Sequence, residues 1–356
     1  MGLFKNINSQ LDQPAQRHPM RWWHLPLLII LIAGTVLAYY SGNRKSVTSS
    51  GYMQSEGSVF GTIYHITYNF GSDLTNEIDS ILAGVDQSLS PFNPNSIITA
   101  INNNGEAEVD RHFVKVFNLA RQVNKSTNGA FDITVAPLVN AWGFGFKNKE
   151  QVTDSLINEL LVHVGMEKVS LKDKHIVKSD SLIMLDCSAI AKGYGVDAVG
   201  EYLESQGIKD YMVEIGGEVR LRGNNPKGEK WSIGIMKPID DPTCQQTELE
   251  QILHVTDIAM ATSGNYRNFY EQDGRKYAHT IDPHTGHPVQ HSLLSATVLA
   301  TDCATADAYA TAFMVLGLER AKVLLKQHHE LEAFLIYSDS EGKTQNWMTG
   351  KFQQYE

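Results

Sequence analysis

Cysteine is scarce in this chain: Cys187, Cys244 and Cys303 are the only three among 356 residues. No two stand at C-x-x-C spacing, which excludes the usual zinc and thiol-redox frameworks. One disulfide can form outside the cytosol, and spacing distinguishes no pair. Positive charge is scarce as well. The formal net charge is −10, and residues 1–45 hold Lys5, Arg17, Arg21, Arg44 and Lys45 against Asp12 alone, so the remainder carries about −14. A body that acidic lacks the basic face that phosphate backbones need, so nucleic acid is not an expected partner. Nucleotide fingerprints are missing too. "GYGVDAVG" puts Gly193, Gly195 and Gly200 at the wrong interval for G-x-G-x-x-G, and no Gly-Lys-Ser/Thr phosphate loop occurs. Nor is "ATSGNY" around Ser263 the G-x-S-x-G elbow of a serine hydrolase.

With 42% apolar and 20% charged residues the chain is too hydrophobic to be disordered, and long enough for one large domain or two smaller ones. One apolar run stands apart. From Leu25 to Tyr40 there is no charge, and with Trp22 and Trp23 the stretch reaches the roughly 17–25 residues that span a bilayer. The expected organisation is a basic lead at 1–21, a membrane anchor or signal segment at 22–40, a Ser/Gly-rich tether at 41–58, and a folded body from 59 to 356. Val36-Leu37-Ala38 has the small-residue character of a cleavage site. The Trp pair in front and Tyr39-Tyr40 behind resemble interfacial belts, which favours an uncleaved anchor.

Within the body, "VFGTIYHITYNF" alternates as a strand does, and "LTNEIDSILAGVDQSLS" has helical apolar spacing. Helices are expected to end at Gly129 and Gly207, and one or two more in "CATADAYATAFMVLGLERAKVLLKQH". Strands are expected in "KDYMVEIGGEVRLRG", "KWSIGIMK", "LHVTDIAMATSG", "KYAHTID", "LLSATVLAT" and "EAFLIYSD". Several follow one another through short turns, which favours antiparallel pairing and an α+β fold of mainly antiparallel sheets with packed helices.

Histidine and carboxylate motifs come next. "YAHTIDPHTGHP" gathers His279, Asp282, His284 and His287, but without the carboxylate or thiolate pattern of a transition-metal site. "NGAFDITVAPLVNAWGFG" sets Asp132 after an aromatic residue. "LDCSAIAKGYGVDAV" sets Asp186 at a strand end with Lys192 entering a helix. In "CATADAYAT", Asp307 and Thr311 at i and i+4 share a helix face. Each has an ordinary structural reading: turn or cap residues for Asp132 and Asp186, a turn starter for Asp282-Pro283, a helix-start charge for Asp307.

Taken in order, these stretches, with "VEIGGE" and "ATSGNYR", closely resemble the signature blocks of the FAD:protein FMN transferase (ApbE) family from about Phe60 to Gly317. The resemblance implies an Mg²⁺-dependent enzyme that moves FMN from FAD to a threonine hydroxyl of an acceptor protein and releases AMP. By the same resemblance Ala189 (through its carbonyl), Asp307 and Thr311 hold Mg²⁺. FAD contacts fall on Phe60, Phe92, Ala130, Phe131, Asp132, Asp186, Lys192 and Ile281. Phe60 and Phe92 stand where relatives have Met and often Tyr or Trp. His279 is the expected general base or orienter of the nucleophile, with Asp282 fixing its tautomer or shaping the turn; His284 and His287 are expected to face solvent. The implied setting is the outer, periplasmic side of a bacterial cytoplasmic membrane, and the implied acceptor a subunit of a membrane redox complex. Many relatives are lipoproteins with a Cys just after the signal; Leu37 to Gly42 contains none. Two other functions remain open: FAD pyrophosphatase, with water replacing threonine, and a non-catalytic flavin-binding protein.

Overall fold

The computed structural model describes residues 51–147, 152–238, 248–265, 269–272 and 275–355. The anchor or signal segment and Cys244 lie outside them. Among the described residues no helix is long and apolar enough to cross a membrane. In chain order the elements are β1 (Tyr52–Val59), β2 (Thr62–Asn69), α1 (Thr75–Leu89), α2 (Ile97–Asn102), α3 (Arg111–Ser126), a 3₁₀ turn (Ile133–Val135), α4 (Ala136–Ala141), α5 (Asp154–Leu161), β3 (Val169–Lys172), β4 (His175–Lys178), α6 (Ser188–Ser205), β5 (Tyr211–Ile215), β6 (Glu218–Arg222), β7 (Trp231–Met236), β8 (Leu249–Val255), β9 (Ile258–Gly264), β10 (Phe269–Gln272), β11 (Arg275–Ala278), β12 (Leu293–Ala300), α7 (Cys303–Leu316), α8 (Leu318–Leu325), β13 (Glu332–Ser338) and β14 (Thr344–Met348).

Eight strands form one sheet in the order β1-β2-β5-β6-β9-β12-β13-β14. Every neighbouring pair is antiparallel, so the expected α+β class is the observed one. Both faces of the sheet's centre are covered, which explains its unbroken apolar runs. Along β13, Ala333 and Leu335 join the core beneath the helices, while Phe334 and Ile336 join a second core on the opposite face. That second core is closed by the β7–β8 hairpin through Trp231, Ile233, Ile235, Leu253 and Val255. On the helical face α6 packs against α7, with α1 and α3 beside them.

Three expectations change in detail. Tyr52 to Ser58, read as the end of the tether, form most of β1; Tyr52 is buried and Ser55 Oγ bonds Thr75 Oγ1 at 2.6 Å. A polar edge strand gives little apolar signal because only one of its sides pairs. The helix expected to end at Gly207 runs from Ser188 to Ser205, so Lys192 lies in its second turn and not at its entry. "KDYMVEIGGEVRLRG" and "LHVTDIAMATSG" are each two strands, broken at Gly216-Gly217 and at Thr256-Asp257. Cys187 and Cys303 are buried and free.

Candidate active site

A cavity of about 520 Å³ opens where the start of α6, the middle of α7, the β5–β6 turn and the end of β9 converge. That volume suits a cofactor-sized ligand. Its walls include Phe92, Ala130, Phe131, Asp132, Asp186, Ala189, Lys192, His279, Ile281, Asp307 and Thr311. These are all the residues expected from sequence except Phe60 and Asp282.

The close approach of α6 to α7 puts Lys192 and Asp307 in one cavity. Gly193 makes it possible: a Cβ there would sit 2.4 Å from the Cys303 carbonyl oxygen and 2.8 Å from Asp307 Cβ. The Gly193 N–H donates to Asp307 Oδ2 at 3.0 Å. Asp307 is 3% exposed, and burial raises its pKa above the usual carboxylate range, against the pull of the Lys192 charge and the Gly193 bond. One turn along α7, Thr311 Oγ1 lies 3.1 Å from Ser263 Oγ.

Lys192 forms an ion pair with Glu218 at 2.5 Å. Burial pulls the lysine pKa down, but Asp307 and Glu218 outweigh it and leave it raised. Glu218 escaped the sequence reading; its signal was a carboxylate directly after a Gly-Gly turn in an otherwise strand-like run. Gly216 makes that turn with φ 62°, which places Glu218 at the cavity wall. Glu218 is 2% exposed and its Oε2 has no hydrogen-bond partner. Burial pushes its pKa up, Lys192 opposes this, and Asp307 adds to it.

The acidic residues on the other wall act differently. Asp132 accepts from Thr134 N (2.8 Å), Thr134 Oγ1 (2.5 Å), Asn124 Nδ2 (3.1 Å) and Met166 N (3.1 Å). Four donors fill its lone pairs, so its carboxylate shapes the wall and is not a free acceptor for a ligand. Asp186 accepts from Ser188 N at 2.8 Å and Ser188 Oγ at 2.5 Å, starting α6; burial raises its pKa against these bonds.

His279 follows β11 and meets the Phe144 ring edge-on, with centroids 6.5 Å apart. Asp282 has the bonding of the second of its two expected roles, shaping the turn: Oδ1 accepts from His284 N at 2.9 Å and bonds His284 Nδ1 at 3.2 Å, while the backbone N–H of Gly286 donates to its carbonyl. It builds the turn, away from the cavity wall. His284 and His287 are exposed as expected, yet His284 Nε2 also reaches Asn128 O at 3.0 Å and His287 leans on Trp142. Phe60 is not among the cavity-lining residues. It sits in the β1–β2 turn at φ 52° with its ring against Gly195 of α6, where a Cβ would come within 2.7 Å of it. Phe92 lines the cavity, 64% exposed, with Phe146 edge-on at 6.2 Å.

Among the described residues no three His, Cys, Asp or Glu side chains gather as a metal cluster. The cavity wall does carry side-chain oxygens, the carboxylates of Asp307 and Glu218 and the hydroxyl of Thr311 among them. An antiparallel sheet whose strand ends and two packed helices close on such a cavity is an ApbE-like fold, and the chain belongs to the ApbE family, whose model matches residues 60–335. Among its relatives, the FAD:protein FMN transferase of Vibrio cholerae is 39% identical over 80% of this chain and 87% of that protein. That of Haemophilus influenzae is 38% identical over 80% and 86%. The solved flavin transferase ApbE from Vibrio cholerae superposes with a TM-score of 0.77 at 37% identity, covering 86% of this chain and 99% of that one.

Proposed function

We propose that this chain is a Mg²⁺-dependent FAD:protein FMN transferase that moves FMN from FAD to a threonine hydroxyl of an acceptor protein. The observation that carries the reading is the convergence of Lys192, Asp307, Thr311 and Ala189 on one cavity, in a chain whose relatives bear that enzyme's name. Two buried carboxylates, Asp307 and Glu218, stand against one lysine, and a hard cation with oxygen ligands would favour their ionised forms against the burial that raises both pKa values. Few protein ligands completed by substrate phosphates is the usual setting of Mg²⁺. When bound there, Mg²⁺ neutralises charge on the phosphates. Lys192 supplies a second positive charge to the pyrophosphate. Phe92, Phe131 and Ile281 offer apolar surface to the flavin.

In the transfer, the threonine oxygen bonds to the FMN phosphorus, the bond to the bridging oxygen breaks, and AMP leaves. His279 takes the hydroxyl proton. Pyrophosphate cleavage by water uses the same residues, so the test compares products. The purified protein, FAD, Mg²⁺ and a candidate acceptor are incubated, and intact masses are read. The expected result is an acceptor heavier by one FMN with AMP released. Free FMN with an unmodified acceptor would instead support hydrolysis. His279→Ala should slow single-turnover transfer; an unchanged rate removes the base assignment. The apolar segment at 22–40 holds the enzyme at the bacterial cytoplasmic membrane with its body on the periplasmic side, where a subunit of a membrane redox complex is the acceptor.

A further inference from the structure

Lys192 stands between two carboxylates and pairs with only one of them. Its ammonium is 2.5 Å from Glu218 Oε1, whereas Asp307 acts on it through the field alone and accepts its hydrogen bond from Gly193 N. Lysine is a point charge on a flexible four-carbon stem. With no competing partner, an ammonium at this place in the wall would settle on Asp307, the carboxylate assigned to the cation.

Glu218 does not have the bonding of a residue kept for the scaffold. Asp132, which is such a residue, satisfies both oxygens with four donors. Glu218 is as deeply buried, yet its Oε2 has none, a costly state that native structures rarely keep without a use. The Gly216-Gly217 turn just before it, with φ of 62° and 103°, values that glycine adopts without strain, also lines the cavity and sets the carboxylate in the wall.

We infer that Glu218 is a positioning residue that draws the Lys192 ammonium off Asp307, leaving Asp307 free to bind the cation and Lys192 facing the substrate phosphates. This rests on reading Asp307 as a cation ligand. Binding of Mn²⁺ alone, measured by electron paramagnetic resonance on the intact protein, tests it without reference to turnover. In Glu218→Gln the amide keeps the shape but loses the charge, Lys192 falls onto Asp307, and Mn²⁺ affinity drops by about tenfold or more. Adding Lys192→Met removes the competitor and brings affinity back to within about threefold of wild type. Glu218→Asp keeps the net charge but withdraws the carboxylate by one methylene, and affinity falls several-fold. That last variant separates positioning from net charge, since a pure charge effect leaves it at the wild-type value. Thermal melting establishes that each variant is folded. The assignment is overturned if Glu218→Gln binds Mn²⁺ as wild type does, if the double variant binds no better than Glu218→Gln, or if Glu218→Asp is unaffected. A wild-type protein that binds no Mn²⁺ overturns the cation reading of Asp307 itself, a distinct result.

Discussion

At the scale of single residues, like charges in this cavity do unlike work because their hydrogen bonds differ. Asp132 is saturated by scaffold donors, whereas Asp307 has one backbone donor and a lysine nearby. Burial raises the Asp307 pKa, so its carboxylate takes up a proton at higher pH than a surface carboxylate with an ordinary value near 3.8. A proton competes with the cation, so cation affinity is highest where Asp307 is ionised and falls as pH drops through that raised value. Mn²⁺ titrations carried down into the ordinary carboxylate range should show affinity declining at higher pH than a carboxylate of ordinary value would give; a decline only at or below that ordinary value would contradict the assignment. Asp307→Asn preserves an acceptor for the Gly193 N–H, so the fold should survive while Mg²⁺-stimulated AMP release falls roughly 100-fold.

At the scale of elements, the decisive contact is α6 against α7. Replacing Gly193 by Ala gains about 1 kcal/mol of helix propensity, but the new methyl would lie 2.4 Å from a backbone carbonyl oxygen that cannot turn aside. Overpacking of that kind costs roughly 1–3 kcal/mol and shifts backbone. The clash wins, and it pushes Lys192 away from Asp307. A Gly193→Ala protein should therefore melt several degrees lower and lose AMP release even below its melting range; an unchanged melting point would show that the helices can part without strain. The existence and type of α1, α3, α7, α8 and the central strands were legible in apolar periodicity. Among the misses were the start of α6, because the five residues Ser188 to Lys192 are too few to show a helical period, and β1, because an edge strand is polar.

At the scale of the whole molecule, one sheet covered on its two faces carries the site, and the described body begins at residue 51. Removing residues 1–45 should move the protein from the membrane fraction to the soluble one and leave FAD turnover per molecule unchanged. Truncated protein that still sediments with membranes would refute the anchor. Eleven of the thirteen residues expected from sequence share the cavity. The sequence by itself determined the α+β class and the shared helix face of Asp307 and Thr311, because these depend on local periodicity and spacing, while the family resemblance came from the order and residue types of its blocks. Only the tertiary structure decided that Phe60 packs on a helix, that Asp132 is saturated and that Glu218 holds Lys192. Which donor reaches which carboxylate is settled by contacts between segments far apart in the chain, and no local pattern encodes a distance across the fold.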